Sequence, residues 1–395
     1  MSRTRLIVEQ RYVDHVKSIL DDPDRERTTV EPASRMNAPA CIVFDGDHAD
    51  AVGRLDGSVA TFGWRPEVDV DHDLDVPVDG QPQDSAAADR PRPIRIAASL
   101  EGNTDGEGLT AGCVDTSVAF NDLLFGAVAA SPGEVLFDRE DLDGDGDDRP
   151  DRQAGHATFV AGLILREAPA ATVRVEGVLD NSGHALTSQA VDAAIRLAEQ
   201  KVHVLNLSLG THAHGEVPLG FRHMLREINP EIVIVAAAGN LKRVGSAFAA
   251  PAPFFPASLD GVLSVGAAVP TEGDAGDDRW VPAEYSNHGP WIDLFAYGTR
   301  LVSTFFTFQP DRPTADNPPF RGWAEWSGTS FATATVTGKI LATMSRMHLT
   351  AREAADYLRR DADRHVDLDG YRVPVVTQQQ WLGGLKVPYP LEWTR

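Results

Sequence analysis

The sequence contains few cysteines, few lysines and no long hydrophobic run. Its 395 residues include two cysteines, Cys41 and Cys113, and both lie in segments that resemble buried strands. We therefore do not expect a disulfide scaffold. Acidic residues outnumber basic ones by 58 to 36, which gives a formal net charge of −22. Because phosphate contacts need clustered Lys or Arg, this imbalance argues against a nucleic-acid-binding protein.

Further absences narrow the class of protein. No stretch approaches the roughly eighteen consecutive apolar residues that a membrane span needs. Residues 1–16 lack the apolar run and the small-residue cleavage site of a secretion signal, so the sequence predicts a cytoplasmic protein without a membrane partner. No Gly-x-Gly-x-x-Gly or Gly-Lys-Ser/Thr phosphate loop lies between a strand and a helix, which argues against a nucleotide-dependent enzyme.

The chain divides into three regions. Residues 1–66 combine two apolar strand candidates, Leu6–Val8 and Ala40–Phe44, with a helical pattern, and they predict a small α+β module. Residues 67–93 are rich in Asp, Pro and Gly and predict an acidic, Pro-rich linker. Residues 94–395 form the main domain.

Short apolar runs alternate with helical patterns throughout the main domain. This alternation is typical of an α/β domain whose mostly parallel sheet is covered by helices on both faces. Near the C-terminus, Thr350–Glu353 has the pattern of a capping box and predicts the start of a helical extension. The apolar runs are Cys113–Val114, Val173–Val175, Val202–Leu205, Ile232–Val235 and Val262–Val265.

Four polar residues close apolar runs or open small-residue helices in this domain. In doubly wound sheets, functional side chains gather at the carboxyl ends of the strands. Asp115 directly follows one apolar run, and Asn240 follows another through Gly239. His156 and Ser330 stand at the starts of two helices whose small residues permit close packing.

These residue types suit nucleophilic catalysis by a serine. A serine hydroxyl is a weak nucleophile at neutral pH, so it needs a general base, and the base needs a partner that fixes its tautomer. Ser330, His156 and Asp115 can fill these three roles. Asn240 and the backbone N–H of Ser330 can donate to the oxyanion of the tetrahedral intermediate. The dipole of the helix that begins at Ser330 favours the same charge.

The order Asp, His, Asn, Ser resembles the subtilisin-like (subtilase) family, over roughly residues 94–348. The resemblance implies a subtilisin-like three-layer α/β/α fold and a serine endopeptidase that hydrolyses peptide bonds through an acyl-enzyme intermediate. It also implies that no cofactor is required for the chemistry and that the partner is a protein or peptide substrate. The matching segments are Gly155–Gly162, Leu205–Gly210, Ala236–Asn240, Ser286–Pro290, Ile292–Ala296 and Ser327–Ala334. The implied substrate-binding residues are Ser208, Leu209, Gly210, Ala237, Ala238 and Gly239, with Asn240 in the oxyanion hole.

Four positions depart from the family's pattern. The family usually has Gly directly after the catalytic His, a second His two residues later, Gly two residues after the Asp, and Pro four residues after the Ser. Here these positions hold Ala157, Phe159, Ser117 and Ala334. None of the changes removes a reacting atom, so they favour slow or controlled turnover. The alternative is a catalytically weak or inactive homologue that binds peptides by strand addition along Ser208–Gly210.

An acidic segment shortly before His156 has the spacing of a calcium-binding loop. Carboxylates recur at alternate positions, with Gly146 at the sixth position. The glutamate expected at the twelfth position is replaced by Arg152, so the alternative is a solvated acidic loop without a metal. Subtilases often bind calcium, and the resemblance implies a structural Ca²⁺. The candidate ligands are Asp141, Asp143, Asp145 and Asp147.

The module of residues 1–66 resembles in outline the propeptide of subtilases, which assists folding and blocks the active site. The alternative is a permanent regulatory or docking domain. Because a cytoplasmic peptidase must be restrained, we expect intramolecular inhibition by this module. For the same reason we expect a limited protein or peptide-precursor substrate.

Overall fold

The structure of the protein, a computed structural model, describes residues 3–21, 27–31, 38–62, 64–75, 91–93, 104–119, 121–122, 124, 127–130, 135–136, 142–212, 217–240, 253–271, 279–314, 317–368, 370–377, 379–382 and 385–388. Within these ranges, no helix has both the length and the apolar character that crossing a membrane requires. Most of the predicted linker, residues 76–90, lies outside them.

The N-terminal residues form an antiparallel four-stranded sheet with two helices on one face. The elements are β1 (Thr4–Val8), α1 (Val13–Leu20), β2 (Thr28–Glu31), β3 (Ala40–Phe44), α2 (His48–Phe62) and β4 (Val68–Val70), with a single 3-10 turn at Gln10–Tyr12. The strand order is β2-β3-β1-β4, and Val70 lies opposite Leu6. The module therefore extends past the predicted boundary at residue 66. The sequence does not reveal β4, because the acidic residue between Val68 and Val70 makes this strand resemble a linker.

The main domain begins with short strands and continues as alternating strands and helices. Its strands are β5 (Asp73–Asp75), β6 (Arg92–Pro93), β7 (Thr110–Thr116), β8 (Val118–Ala119), β9 (Val128–Ala130), β10 (Val135–Leu136), β11 (Thr172–Leu179), β12 (His184–Leu186), β13 (Val204–Leu207), β14 (Val233–Ala237), β15 (Val262–Pro270), β16 (Trp280–Pro282), β17 (Leu294–Tyr297), β18 (Leu301–Phe308), β19 (Phe320–Trp326), β20 (Arg364–Leu368), β21 (Tyr371–Val376), β22 (Gln379–Leu382) and β23 (Leu385–Pro388). Its helices are α3 (His156–Glu167), α4 (Thr187–Glu199), α5 (Leu219–Glu227), α6 (Thr329–Met347) and α7 (Ala351–Arg360).

The central sheet contains eight neighbouring parallel strands, in the order β9-β11-β7-β13-β14-β15-β17-β21. The strands β20 and β16 complete it. Val114 of β7 lies opposite Leu207 of β13. The next residues, Asp115 and Ser208, therefore reach the carboxyl edge of the sheet at the same level, where a doubly wound fold places its functional groups.

Helices cover both faces of this sheet. The helices α3 and α6 pack together over one buried apolar cluster, and α4 and α5 pack over the other. A Cβ atom added to Gly338 would lie 2.6 Å from the carbonyl oxygen of Ile164. The small residues of α6 thus allow the close approach to α3 that the sequence predicts.

Two further elements border the start of α6. The strands β18 and β19 form an antiparallel hairpin, and β6 pairs with the outer edge of β19. Trp326 ends β19 and packs edge-on against Phe159 of α3, with ring centroids 5.8 Å apart. After α6, Thr350 caps α7 in a capping box with Glu353, which confirms that prediction.

Candidate active site

Asp115 and His156 form a buried pair. His156 Nδ1 lies 2.7 Å from Asp115 Oδ1, and the two side chains are 1% and 0% exposed. The backbone N–H of Thr116 donates to the same carboxylate oxygen at 2.7 Å. Because an ionised carboxylate only accepts hydrogen bonds, this contact assigns the ring proton to Nδ1. Nε2 then keeps the lone pair that a general base needs.

Local backbone geometry places His156 in the first turn of α3. Gly155 precedes the helix with a φ of 79°, in the left-handed region that glycine adopts without strain. A Cβ atom on Gly155 would lie 2.7 Å from the ring of Phe306. The N–H of Ala157 donates to the Thr116 hydroxyl at 3.1 Å, which ties the helix start to β7.

Ser330 is the second residue of α6 and is buried. Its hydroxyl donates to the backbone carbonyl of Ser208 at 3.3 Å, and the Ser208 hydroxyl donates to the Ser330 carbonyl at 3.1 Å. The ring of the next residue, Phe331, lies 5.3 Å from the His156 ring. Within the described part of the chain, Nε2 of His156 is buried and has no hydrogen-bond partner. Ser330 is therefore the neighbour in sequence of a residue that contacts the histidine ring, and its own hydroxyl is hydrogen-bonded to the predicted substrate-binding segment.

A chain of buried polar side chains lies behind Ser208. The Asn206 side-chain amide donates to the Ser208 hydroxyl at 2.9 Å, and the Thr337 hydroxyl donates to the Asn206 side-chain oxygen at 3.0 Å. All three residues are fully buried. Sequence reasoning did not identify Asn206 or Thr337. The available signal was an asparagine inside the otherwise apolar run of β13.

Asn240 faces the start of α6 from the neighbouring segment. It follows β14 through Gly239, whose φ is 86°. Its side-chain oxygen accepts hydrogen bonds from the backbone N–H and the hydroxyl of Thr329, both at 3.1 Å. The amide nitrogen is the end of this side chain that can donate, and a Cβ atom on Gly328 would lie 3.9 Å from it. Asn240 and Ser330 therefore meet at one helix start.

The predicted substrate-binding residues end β14 or directly follow β13 and β14. Gly210 packs tightly, since an added Cβ atom would lie 2.4 Å from the carbonyl oxygen of Phe255. The Asn287 side chain donates to the Ala238 carbonyl, and the Asn287 N–H donates to the Gly239 carbonyl, each at 2.9 Å. The structure places all six residues in buried positions beside the site: Ser208, Leu209, Gly210, Ala237, Ala238 and Gly239.

The acidic segment folds back on itself in the loop before α3. Asp143, Asp145 and Asp147 offer carboxylate oxygens within 4.8 Å of one another. The N–H groups of Asp147 and Asp148 both donate to the Asp143 carboxylate at 3.0 Å. Asp141, the fourth predicted ligand, lies outside the described residues.

The same loop crowds a further carboxylate. Burial raises the pKa of Asp151, and the negative charges of its neighbours Asp145, Asp143 and Asp147 raise it further. The Asp151 N–H donates to the Leu142 carbonyl at 2.7 Å, and the loop runs directly into α3. The loop that carries these charges therefore lies directly before the segment that positions the histidine.

The N-terminal module contacts the helices α4 and α5 through the second face of its sheet. Ile7 packs against Leu219 at the start of α5. The Asp71 carboxylate accepts the N–H of Ser188 at 3.0 Å and its hydroxyl at 2.7 Å, while Asp69 accepts the Leu219 N–H at 2.7 Å. These carboxylates satisfy N–H groups at two helix starts, where the helix dipole favours negative charge.

The chain leaving the module also joins the main domain. The strand β5 pairs antiparallel with β12, and Asp75 lies opposite His184. Residues 73–75, for which the sequence predicts a linker, therefore form a strand that pairs with β12. A cavity of about 400 Å³ remains between module and helices, and burial raises the pKa of the Cys41 thiol beside it to about 12.

Comparison with known proteins supplies the family context for this geometry. The sequence model of the subtilase family matches residues 106–375, which include all four candidate site residues. The thermophilic serine proteinase of Bacillus sp. (strain AK1) is 31% identical over 239 residues, which cover 57% of this chain and 51% of that protein. Thermitase of Thermoactinomyces vulgaris is 28% identical over 267 residues, which cover 64% of this chain and 81% of thermitase.

A solved structure shares the fold. Fervidolysin from Fervidobacterium pennivorans, described as a keratinolytic enzyme related to subtilisin, superimposes with a TM-score of 0.65 at 16% identity. The match covers 95% of this chain and 60% of fervidolysin. This likeness shows the subtilisin-like α/β fold that the sequence resemblance predicts. The chain spans about half the length of several curated relatives that it matches.

Proposed function

The chain belongs to the subtilase family, and we propose that it is a serine endopeptidase acting through Asp115, His156 and Ser330. The observation that carries the proposal is the buried 2.7 Å contact between His156 Nδ1 and Asp115 Oδ1, beside the helix that bears Ser330. A histidine held in one tautomer next to a serine at a helix start supplies the parts that nucleophilic hydrolysis of a peptide bond needs.

The roles follow from the donors and acceptors at the site. Ser330 Oγ attacks the scissile carbonyl carbon while His156 Nε2 takes its proton, and Asp115 stabilises the imidazolium that forms. The C–N bond breaks as His156 returns the proton to the leaving amine, which leaves an acyl-enzyme that water hydrolyses by the same route. Asn240 and the Ser330 N–H stabilise the oxyanion in both halves of the reaction.

Peptide hydrolysis by purified variants tests this proposal. Ser330→Ala and His156→Ala are each expected to lower kcat by about 10⁶-fold, the size of the loss in subtilisin itself. Ser18→Ala, which alters an exposed serine of α1, is the matched control and should leave kcat unchanged. A folded wild-type chain that binds peptide but turns over no faster than Ser330→Ala would instead be the peptide-binding homologue.

The burial of the catalytic groups supports a limited substrate. Asp115, His156 and Ser330 are 0%, 1% and 2% exposed, so a substrate has to fit closely against the site to bring its scissile bond to them. A substrate chosen for its fit, such as a particular protein or peptide precursor, suits this arrangement better than bulk digestion. Digestion of an unfolded protein should then yield few cleavage sites, as counted by mass spectrometry.

The position of the N-terminal module supports intramolecular inhibition. Its carboxylates Asp69 and Asp71 cap two helices of the main domain, and β5 pairs with β12 beside the main sheet. These contacts are polar, and the cavity next to Cys41 leaves the interface incompletely filled. Such an interface can hold the module in place and still release it.

The acidic loop supports a structural calcium site. Asp143, Asp145 and Asp147 provide the hard oxygen ligands that Ca²⁺ prefers, and their close approach without a cation is electrostatically unfavourable. Bound calcium would supply positive charge that orders the loop before α3, and the reaction itself needs no metal. Added CaCl₂ should raise the melting temperature of the wild type but not that of Asp145→Asn. An equal response in both proteins would remove this site from the proposal.

A further inference from the structure

Two glycines border the space beside the nucleophile. Leu207 lies opposite Ala236 in the pairing of β13 with β14, and Gly210 and Gly239 each follow three residues later. Because glycine has no side chain, two such residues leave room between their segments for a side chain of another residue. In this protein the ring of Phe254 lies in that space.

The Phe254 ring packs against both glycines. A Cβ atom added to Gly210 would lie 2.8 Å from Cζ of this ring, and one added to Gly239 would lie 2.9 Å from its Cδ1. Carbon atoms that are not bonded pack best at about 3.5–4.0 Å, so neither Cβ atom would fit. Phe254 is only 5% exposed. The ring therefore fills the space directly in front of both α-carbons.

The backbone beside Phe254 is fixed to the segment that carries Gly210. The N–H of Phe255 donates to the Thr211 carbonyl at 2.9 Å, and the N–H of Thr211 donates to the Phe255 carbonyl at 2.8 Å. The ring of His212 also packs against the Phe254 ring, with centroids 4.9 Å apart. These contacts hold the ring between the two segments.

One substrate side chain comes close to this ring during the proposed reaction. The attacked carbonyl carbon meets Ser330 Oγ, which lies 3.3 Å from the Ser208 carbonyl oxygen on the first segment. The oxygen of the attacked carbonyl meets Asn240, which directly follows Gly239 on the second segment. The α-carbon of the same substrate residue is one bond, about 1.5 Å, from the attacked carbon. The residue before the scissile bond therefore places its side chain beside the two segments, at Phe254.

We propose that Phe254 limits the residue before the scissile bond to a small side chain, that of glycine, alanine or serine. This inference rests on the proposed function and names its substrate class. The size of the space at this position decides which residue a serine peptidase accepts there. An alanine side chain needs the volume of one methyl group, whereas a phenylalanine side chain needs the volume that Phe254 already fills. Extra volume in a filled space forces side chains or backbone to shift.

A set of matched peptides tests the size limit on the full-length wild-type chain. The peptides are succinyl-Ala-Ala-Pro-X-p-nitroanilides in which X is alanine, leucine or phenylalanine, so that only the side chain in question differs. Release of nitroaniline gives kcat/KM for each. The alanine peptide should be cleaved at least about tenfold more efficiently than the phenylalanine peptide. Equal cleavage of all three, or a preference for leucine or phenylalanine, would show that Phe254 sets no size limit.

Substitution of the ring tests whether Phe254 is the cause. In Phe254→Ala the substrate's phenyl ring can take the place of the ring that was removed, so kcat/KM for the phenylalanine peptide should rise at least about tenfold. Phe221→Ala removes a ring of α5 that is 1% exposed, and this control should keep the wild-type order of the three peptides. The milder pair Phe254→Leu and Phe221→Leu gives the same comparison if an alanine variant does not fold. A Phe254 variant that keeps the wild-type order contradicts the inference.

A small fluorophosphonate without a peptide separates this inference from the proposed function. If it labels Ser330 in a wild-type chain that shows no size preference, the catalytic proposal stands and the inference about Phe254 is wrong. If it does not label Ser330 and no peptide is cleaved, both proposals fail.

Discussion

Among the single residues of the site, Asn240 has its side-chain oxygen held by two hydrogen bonds from Thr329. The amide nitrogen is therefore the group that we propose as a donor to the oxyanion. Such a donor acts mainly in the transition state, because the oxyanion exists only there.

Asn240→Ala should therefore lower kcat by about 10²–10³-fold and leave KM nearly unchanged. Thr329→Ser, which keeps the hydroxyl that orients the amide, is the matched control and should retain most activity. Steady-state kinetics on a peptide substrate distinguishes the variants. A rise in KM with unchanged kcat would assign Asn240 to substrate binding instead.

His72 gives the N-terminal module a pH dependence. Its pKa is raised, chiefly by the hydrogen bond between its ring and Asp69 at 3.1 Å, although burial opposes the change. A raised pKa in the folded state adds stability that is complete below the ordinary value of 6.5 and is lost as the pH rises through the raised value.

The free energy of unfolding should thus fall with rising pH above about 6.5, and it should fall less in His72→Gln. Urea unfolding at several pH values, followed by a probe in the module, measures the difference. The same pH profile in wild type and variant would show that the Asp69–His72 contact does not stabilise the module.

Individual residues differ in how far the sequence reveals them. Asp115, His156, Asn240 and Ser330 stand at the ends of apolar runs or the starts of helices, so their positions predict a shared edge of the sheet. The positions of Asn206 and Thr337 do not predict their contact, because their hydrogen bond joins residues 131 positions apart inside the packed core. Nor does any local pattern predict that the Ser330 hydroxyl turns to the Ser208 carbonyl.

The secondary-structure elements owe their arrangement to close contacts at small residues. The helices α3 and α6, which carry the histidine and the serine, approach each other at Gly338. An added Cβ atom there would lie 2.6 Å from the Ile164 carbonyl oxygen and 2.8 Å from Glu167 Cβ. The two helices would have to move apart to accept it.

Gly338→Ala should therefore destabilise the protein by about 1–3 kcal/mol and lower activity as well. Gly53→Ala in α2 is the matched control, since nothing lies within 4 Å of its added Cβ atom and alanine favours a helix by roughly 0.5–1 kcal/mol. Chemical denaturation of both variants provides the comparison. A Gly338→Ala protein as stable as the wild type would contradict the tight packing of α3 on α6.

Elements were predicted well where hydrophobic pattern and end signals agree. The run Ala40–Phe44 coincides with β3, and the capping box at Thr350 starts α7 at the next residue. The strands β4 and β5 escaped prediction because their acidic residues suggest a solvated linker. In the structure Asp69 of β4, and Asp71 between the two strands, lie at helix starts, where they have partners from distant parts of the chain.

The whole molecule combines a sheet-based main domain with a module docked through acidic side chains. Asp71 is the most enclosed of the docking carboxylates, with a fully buried side chain that also pairs with Arg5. The loss of one such cap weakens a helix start by about 0.5–2 kcal/mol. Because Asp71 caps a helix of the main domain, its loss should weaken docking and, with it, the inhibition that we propose.

Asp71→Ala should weaken the proposed inhibition and raise the initial rate of peptide hydrolysis by about fivefold, which corresponds to roughly 1 kcal/mol of docking energy. Asp73→Ala, a change at an exposed carboxylate two residues away, should leave the rate unchanged. Rates are compared at equal concentrations of intact chain. Mass spectrometry checks that the chain in each sample has its full length. Equal rates for all three proteins would mean that this contact does not restrain the site.

The central claim for the molecule is that Ser330 is a nucleophile activated by His156. Treatment of the full-length chain with a fluorophosphonate, followed by peptide mass mapping, tests it most directly. The account predicts a single adduct on Ser330 that is absent in Ser330→Ala and forms far more slowly in His156→Ala. A folded wild-type chain that forms no adduct, or forms one equally fast without His156, would contradict it.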